Sequence, residues 1–340
     1  MRVALDTQLA VGTATGIGVY QRDLARALVE IGVEVRALRF SALDPWRFDR
    51  RVIWDQALLP ILALRSGADV LHAASGTLPL LPSIPTVVTV HDMAWLRVQA
   101  HTRAYVRPYF GSLMRRLYRG AAAIVTDSIF ARDEFLELAG TRANVHVVYP
   151  GVDERFAQVV RRPRERPFVL VAGTVERRKN LVRAVETLAR VPELDLVAVG
   201  PPTPYLDEVR ARVADLGLGD RVTIRGYVER AELDALYAEA TLALVPSRYE
   251  GFGYGVAEAL CAGLPVIAAH SSSLVEVAAG DATLIDPDDA DGWVDAVRTV
   301  LAGRSAAEAH AAEARTRALA RFAWPRAAAE CAAIYESIAG

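Results

Sequence analysis

Short apolar runs recur along this 340-residue chain, and segments of helical period separate them. In the first half the runs cover 2–5, 34–39, 70–72, 86–90, 122–126 and 145–148. In the second half they cover 168–172, 195–199, 222–225, 242–246, 266–268 and 282–285. Most are apolar throughout rather than at every second position. That pattern means burial on both faces, as in parallel strands covered by helices. Helical patterns lie between several of them, among them 18–31 and 128–139, and an Ala-rich one covers 302–321. The alternation predicts an α/β protein with two doubly wound parallel-sheet domains, Rossmann-like in layout.

The expected domains are 1–155 and 165–321. Between them, Pro150 and Gly151 precede an arginine- and proline-rich stretch, 161–167, which reads as an interdomain linker. Ligands of such sheets bind outside the carboxyl ends of the strands. A cleft between two facing domains is therefore the expected site.

Composition narrows the function classes. Hydrophobic residues make up 52% and charged residues 24%, as in ordinary soluble proteins. The net charge of −2 provides no field for nucleic acid. Cys261 and Cys331 stand far apart, with neither disulfide nor metal spacing, which fits a reducing compartment. No signal peptide is read ahead of the first strand, and no apolar stretch approaches the ~18 residues of a membrane span. The expected location is the cytoplasm.

Among 39 basic residues there is one lysine, Lys179. It stands where the run 168–172 gives way to a helix starting near Asn180. A cation and free helix N–H groups at such a turn favour an anion, and a compact ammonium differs from the arginine fork. A solvated surface lysine is the alternative. A second strand-to-helix turn carries Gly251, Gly253 and Gly255 ahead of a helix from about Tyr254 to Gly263. Glycines admit a ligand close to the backbone. Glu250 lies in this loop, and Glu258 lies one turn into the helix. There a carboxylate can accept two hydrogen bonds from a vicinal diol, or simply sit on a solvated face.

The spacing of Glu250 and Glu258 within EGFGYGVAEALCAGLPVIA resembles the signature of the retaining nucleotide-sugar glycosyltransferases of family 4, which have the GT-B fold. Six further segments match in order: TGIGVYQRDLARAL from Thr15, TVHDMAWL from Thr89, VVYPGVDERF from Val147, GTVERRKN from Gly173, the loop and helix Ser271–Glu276 with Asp281–Pro287, and FAWPRAAAECAAIYESI from Phe322. The resemblance implies that Glu258 binds the donor ribose. It implies that Glu250 and the backbone of Gly251, Phe252, Gly253 and Tyr254 hold the donor sugar. Lys179 and Arg178 would neutralise the diphosphate, and His91 would reach the transferred sugar. Gly16, Ile17 and Gly18 would let the first loop approach donor and acceptor, and Gly226, Tyr227 and Val228 would pack the base. The final helix, 322–340, would return to the first domain. Thr174 departs from the family, which commonly has arginine there. Arg177 or Arg178 then supplies the missing cation, or Lys179 carries the charge.

The implied reaction moves a hexose from a nucleotide sugar to a hydroxyl of a glycan or lipid-linked acceptor, with retention and without a metal or other cofactor. GTVERRKN favours GDP-mannose over UDP-glucose and dTDP-deoxysugars. Another GT-B enzyme such as a sugar-nucleotide epimerase, or a non-catalytic nucleotide-sugar-binding subunit, is the alternative. The glycines Gly12, Gly16 and Gly18 do not complete a dehydrogenase fingerprint.

Other features read as local structure. Asp92 is an orienter of His91 or a loop cap. Ser273 to Glu276 reads as a capping box, and Asp286, Pro287, Asp288 and Asp289 as a turn and N-cap rather than a metal site. His72, His101, His146, His270 and His310 show no ligand spacing. From Met93 to Thr126 there is no acid but six arginines: Arg97, Arg103, Arg107, Arg115, Arg116 and Arg119. With Tyr109, Phe110, Leu113, Met114 and Leu117 on the opposite helix face, the stretch from Arg103 to Arg119 reads as a candidate contact with an anionic membrane, or as a packed helix with a solvated arginine face.

Overall fold

A computed structural model of the chain describes residues 1–11, 16–44, 47–97, 107–140 and 144–339. Gly12, Thr15, His101 and Arg103 lie outside the described residues, as does the Arg107 side chain. The chain forms two compact units, 1–151 with 322–340, and 152–321.

Each unit is built on a six-stranded parallel sheet, as the doubly apolar runs require. In unit 1 the strands are β1 (Arg2–Asp6), β2 (Glu34–Leu38), β3 (Val70–Ala73), β4 (Thr86–Val90), β5 (Ala123–Thr126) and β6 (Val145–Val147), in the order β2-β1-β3-β4-β5-β6. In unit 2 they are β7 (Phe168–Ala172), β8 (Asp195–Val199), β9 (Val222–Arg225), β10 (Leu242–Val245), β11 (Val266–Ala269) and β12 (Thr283–Ile285), in the order β12-β11-β10-β7-β8-β9. The strand order of unit 2 reverses between β7 and β10, the two strands that lead into the Lys179 turn and the glycine-rich loop. A crevice opens at such a switch point.

The helix Trp324–Ala339 belongs to the core of unit 1. Trp324, Ala328, Cys331 and Tyr335 pack with Tyr20, Leu24 and Leu28 of the helix Gly16–Glu30 and with Val3 and Val70 of the sheet. Gly151 lies flat against Trp324, where a Cβ would come within 2.3 Å of the indole.

Two expectations are corrected. The stretch 152–167 is not a free linker. Arg162 N–H donates to Ala238 O at 2.9 Å and Arg164 N–H to Glu239 O at 3.0 Å. The Arg161 guanidinium binds the carbonyls of Tyr237, Ala238 and Ala240. The arginines that made this stretch look solvated are what tie it down, so unit 2 begins at Val152 rather than 165, and unit 1 stops short of 155. Ser273 makes no cap hydrogen bond at the helix Leu274–Ala278; its hydroxyl serves Glu250 instead. In the arginine-rich stretch, Tyr109, Met114 and Tyr118 are buried, with Phe110, Leu113 and Leu117 packed around them. Core packing uses the apolar face, leaving Arg115, Arg116 and Arg119 exposed. Arg97 pairs with Glu134 and Glu137.

Candidate active site

The strand ends of unit 2 bring the Lys179 turn and the glycine-rich loop together. After β7 the chain turns through Gly173, whose N–H donates to Val199 O at 2.8 Å, while Gly200 N–H donates to Gly226 O at 3.0 Å. Gly200 has φ of +144°, and a Cβ there would lie 2.0 Å from Gly173 O. The ends of β7, β8 and β9 can stack this closely only with glycine at 200.

The single turn Arg177–Lys179 then projects its three cations in different directions. Arg177 faces outward to Glu208 and stacks over Tyr205, with the guanidinium carbon 5.3 Å from the ring centroid. Arg178 reaches into the glycine-rich loop, where Nη1 donates to Glu250 Oε2 at 2.6 Å and to Tyr249 O at 3.0 Å. Lys179 Nζ donates to Glu250 Oε1 at 2.8 Å. Of the two arginines, Arg178 is the one beside the lysine.

Glu250 is the node of the cluster. Its carboxylate also accepts from Ser247 Oγ at 2.9 Å, its N–H donates to Ser272 Oγ at 2.9 Å, and its carbonyl accepts from Ser273 Oγ at 2.8 Å. Burial alone would raise its pKa, but the charges and hydrogen bonds of Lys179 and Arg178 override that and bring it down to about 2. Glu176 pairs with Arg178 at 2.7 Å. Two carboxylates thus balance two cations, and the cluster buries no net charge. Beneath the turn a small pocket is lined by Gly173, Thr174, Lys179, Pro246, Ser247 and Gly255.

The helix Tyr254–Cys261 starts from Gly253 at φ +97°, where a Cβ would meet Leu274 Cδ2 at 2.6 Å. The start of a helix favours an anion ahead of it. Phe252 is buried edge-on to Tyr254, so it presents backbone to the loop. Glu258, one turn along, is half-buried, and its Oε2 accepts from Tyr237 OH at 3.0 Å. Burial raises the Glu258 carboxyl, opposed by the Tyr237 hydrogen bond and the charges of Arg155 and Lys179. Burial also holds the Tyr237 phenol protonated, reinforced by Glu258. Gly226, Tyr227 and Val228 lie at the same strand edge beside Gly200, with Tyr227 61% exposed.

In unit 1, His91 follows β4. Its Nδ1 lies 2.6 Å from Asp127 Oδ2, and its Nε2 lies 3.3 Å from Ala74 O. Tyr20 meets the ring edge-on at 4.8 Å. Burial would lower the imidazole pKa, but the charge and hydrogen bond of Asp127 override it and hold the group above its ordinary value. Asp92 caps the loop instead, accepting from Ala94 N–H at 3.0 Å. Gly16 and Gly18 open the helix Gly16–Glu30. Sequence reasoning missed Asp127, Tyr237, Ser247, Ser272 and Gly200. Apart from Ser247 they come from other strand ends, from a loop or, for Tyr237, from the helix Arg230–Glu239, and no spacing links them to the motifs they serve.

The family described as "Glycosyl transferases group 1" matches residues 152–317, and that described as "Glycosyltransferase Family 4" matches 14–156. The D-inositol 3-phosphate glycosyltransferase of Xylanimonas cellulosilytica is 30% identical, over 96% of this chain and 93% of its own. The GDP-mannose-dependent alpha-(1-6)-phosphatidylinositol monomannoside mannosyltransferase of Mycobacterium tuberculosis is 30% identical, over 88% of this chain and 78% of its own. The sucrose-phosphate synthase of Thermosynechococcus elongatus shares the fold, with a TM-score of 0.79 at 21% identity over 99% and 98% of the two chains. The arrangement at the β7–β10 switch point thus belongs to an enzyme with two Rossmann-like domains, and this chain is a member of the family 4 glycosyltransferases with the GT-B fold.

Proposed function

We propose that the enzyme transfers mannose from GDP-mannose to a hydroxyl of a glycan or lipid-linked acceptor, with retained configuration and without a metal ion. The observation that carries this reading is the Lys179–Glu250–Arg178 cluster beside the Gly253 helix start, with Glu258 one turn further. The paired cations suit a diphosphate, and Glu258 suits a ribose diol. The choice of mannose rests on the mannosyltransferase relative.

In this reading Glu250 aims both cations before the donor arrives. Lys179 Nζ has one hydrogen bond among the described residues, to Glu250, and an ammonium has three donors. The others serve phosphate oxygens. As the bond from the anomeric carbon to the phosphate oxygen breaks, negative charge grows on the diphosphate. Cations already in place stabilise it without reorganisation. The acceptor oxygen bonds to the anomeric carbon on the same face, and its proton passes to the departing phosphate. Charge is thus met by side chains and helix N–H groups, which is why we assign no metal.

A thermal-shift panel of GDP, UDP, dTDP and their sugars tests the donor. GDP-mannose is expected to raise Tm most. If no nucleoside diphosphate shifts Tm, the site reading fails; if UDP-glucose dominates, only the mannose assignment does. Lys179 is the sole lysine, so an amine reagent can modify only it and the N-terminus. Donor should protect Lys179, as read by peptide mass.

A further inference from the structure

Unit 1 carries an exposed aliphatic ridge that the catalytic reading does not use. It lies on the helical stretch formed by Phe48–Ile53, the π turn Trp54–Leu58 and Leu59–Arg65. One side is packed, with Trp54, Leu59 and Ala63 buried against Ala4 and Leu71. On the other, Ile53, Ile61 and Leu64 are 50%, 47% and 61% exposed. In an unbroken α-helix Ile61 would stand about 80° round from Ile53. The wider π turn between them removes most of that drift.

The loop after β3 extends the ridge. Leu80 N–H donates to Gln56 Oε1 at 2.8 Å, and Ser83 Oγ donates to Pro60 O at 2.9 Å. Leu80 and Leu81 are 54% and 83% exposed. A buried ionic anchor fixes loop to helix. Arg51 Nε donates to both Asp55 oxygens at 2.9 Å, and its Nη2 binds the hydroxyls of Ser75 and Thr77. Ser75 Oγ in turn donates to Asp6 Oδ2 at 2.7 Å.

Contiguous exposed aliphatic side chains mark an interaction surface, and the charges around this one select its partner. Arg50 and Arg65 stand at the two ends of the stripe. The exposed carboxylate of this helix, Asp49, already pairs with Arg47 at 2.9 Å. A second copy seated on the ridge would set arginine against arginine in either direction. Anionic headgroups complement both ends and let the aliphatic side chains enter the acyl boundary. We propose that the ridge of Ile53, Ile61, Leu64, Leu80 and Leu81 docks unit 1 on an anionic lipid surface. This stands independently of the donor assignment.

Co-sedimentation of the full chain with vesicles of phosphatidylglycerol and phosphatidylcholine tests it. Wild type should bind them, and bind pure phosphatidylcholine more weakly. Leu81→Ser should weaken binding, and Ile61→Ser with Leu81→Ser should weaken it by about tenfold or more, with Tm unchanged. Replacing Arg115, Arg116 and Arg119 by Ser should leave it intact. The proposal is overturned if wild type stays in the supernatant, if the double variant binds as well as wild type, or if only the triple arginine variant loses binding. A dimer in sedimentation equilibrium that the double variant breaks would likewise overturn it.

Discussion

The Nδ1 of His91 lies 2.6 Å from Oδ2 of Asp127, with Asp127 contributed by the end of the neighbouring strand β5. The carboxylate fixes the ring orientation and favours the imidazolium. The pKa of His91 is raised on folding, so this pair stabilises fully below the unfolded value of about 6.5 and the benefit fades as pH rises through the folded value. Asp127→Asn should therefore lower Tm more at pH 6 than at pH 9. Equal losses at both values would contradict the pairing. His91→Ala should reduce kcat with donor affinity, measured by thermal shift, unchanged.

Lys179→Ala should lower kcat/KM by about two to three orders of magnitude, the range for losing one preorganised charge-stabilising donor. Lys179→Arg should also be poor. A Cβ on Gly173 would already lie 3.2 Å from Nζ, and Arg178 occupies the other side of Glu250, so a second planar fork has little room. Full activity in the arginine variant would show that charge alone suffices.

Glu250 titrates in the opposite sense to His91. Its pKa falls from an ordinary 4.5 to about 2 on folding, so its stabilisation is present above 4.5 and lost as pH drops through 2. The shift corresponds to roughly 3 kcal/mol. Glu250→Gln should be less stable than wild type at pH 7 by an amount of that order, with the gap closing toward pH 2 in denaturant titrations. A gap independent of pH would mean the ion pairs contribute nothing.

Tyr237→Phe removes the hydroxyl that Glu258 accepts, 3.0 Å away. Losing a hydrogen bond to a charged group costs about 1.5 kcal/mol, roughly tenfold in an equilibrium constant. The donor KM should rise by about that factor with kcat preserved. A fall in kcat alone would place Tyr237 in another role.

The strands were legible because both faces of most of them are buried, which leaves positions such as Val87, Val88 and Val90 of β4 apolar on either side of the sheet. The charged groups of the candidate site were legible because Lys179, Glu250 and Glu258 sit in motifs continuous in sequence. Their supports were not. Asp92 is adjacent to His91 in the chain, yet the chain direction after β4 turns it toward the Ala94 N–H, and Asp127 takes its place from across the sheet. Ser273 matched a capping pattern, but the Glu250 carbonyl competes for the hydroxyl and wins it. The arginines of 161–166 read as solvated because sequence shows charge and not the carbonyls waiting for it.

The placement of the helix Trp324–Ala339 has a consequence for synthesis. In most multidomain chains the N-terminal domain matures first as it leaves the ribosome. Here His72, buried on β3, has its Nδ1 2.6 Å from Tyr335 OH, 263 residues later. Until that tyrosine emerges, the face bearing Leu24, Leu28 and Val70 has no cover. Unit 2 ends at Arg321 and needs no later residue, whereas unit 1, the first to be made, cannot close its core before the last helix is free of the ribosome.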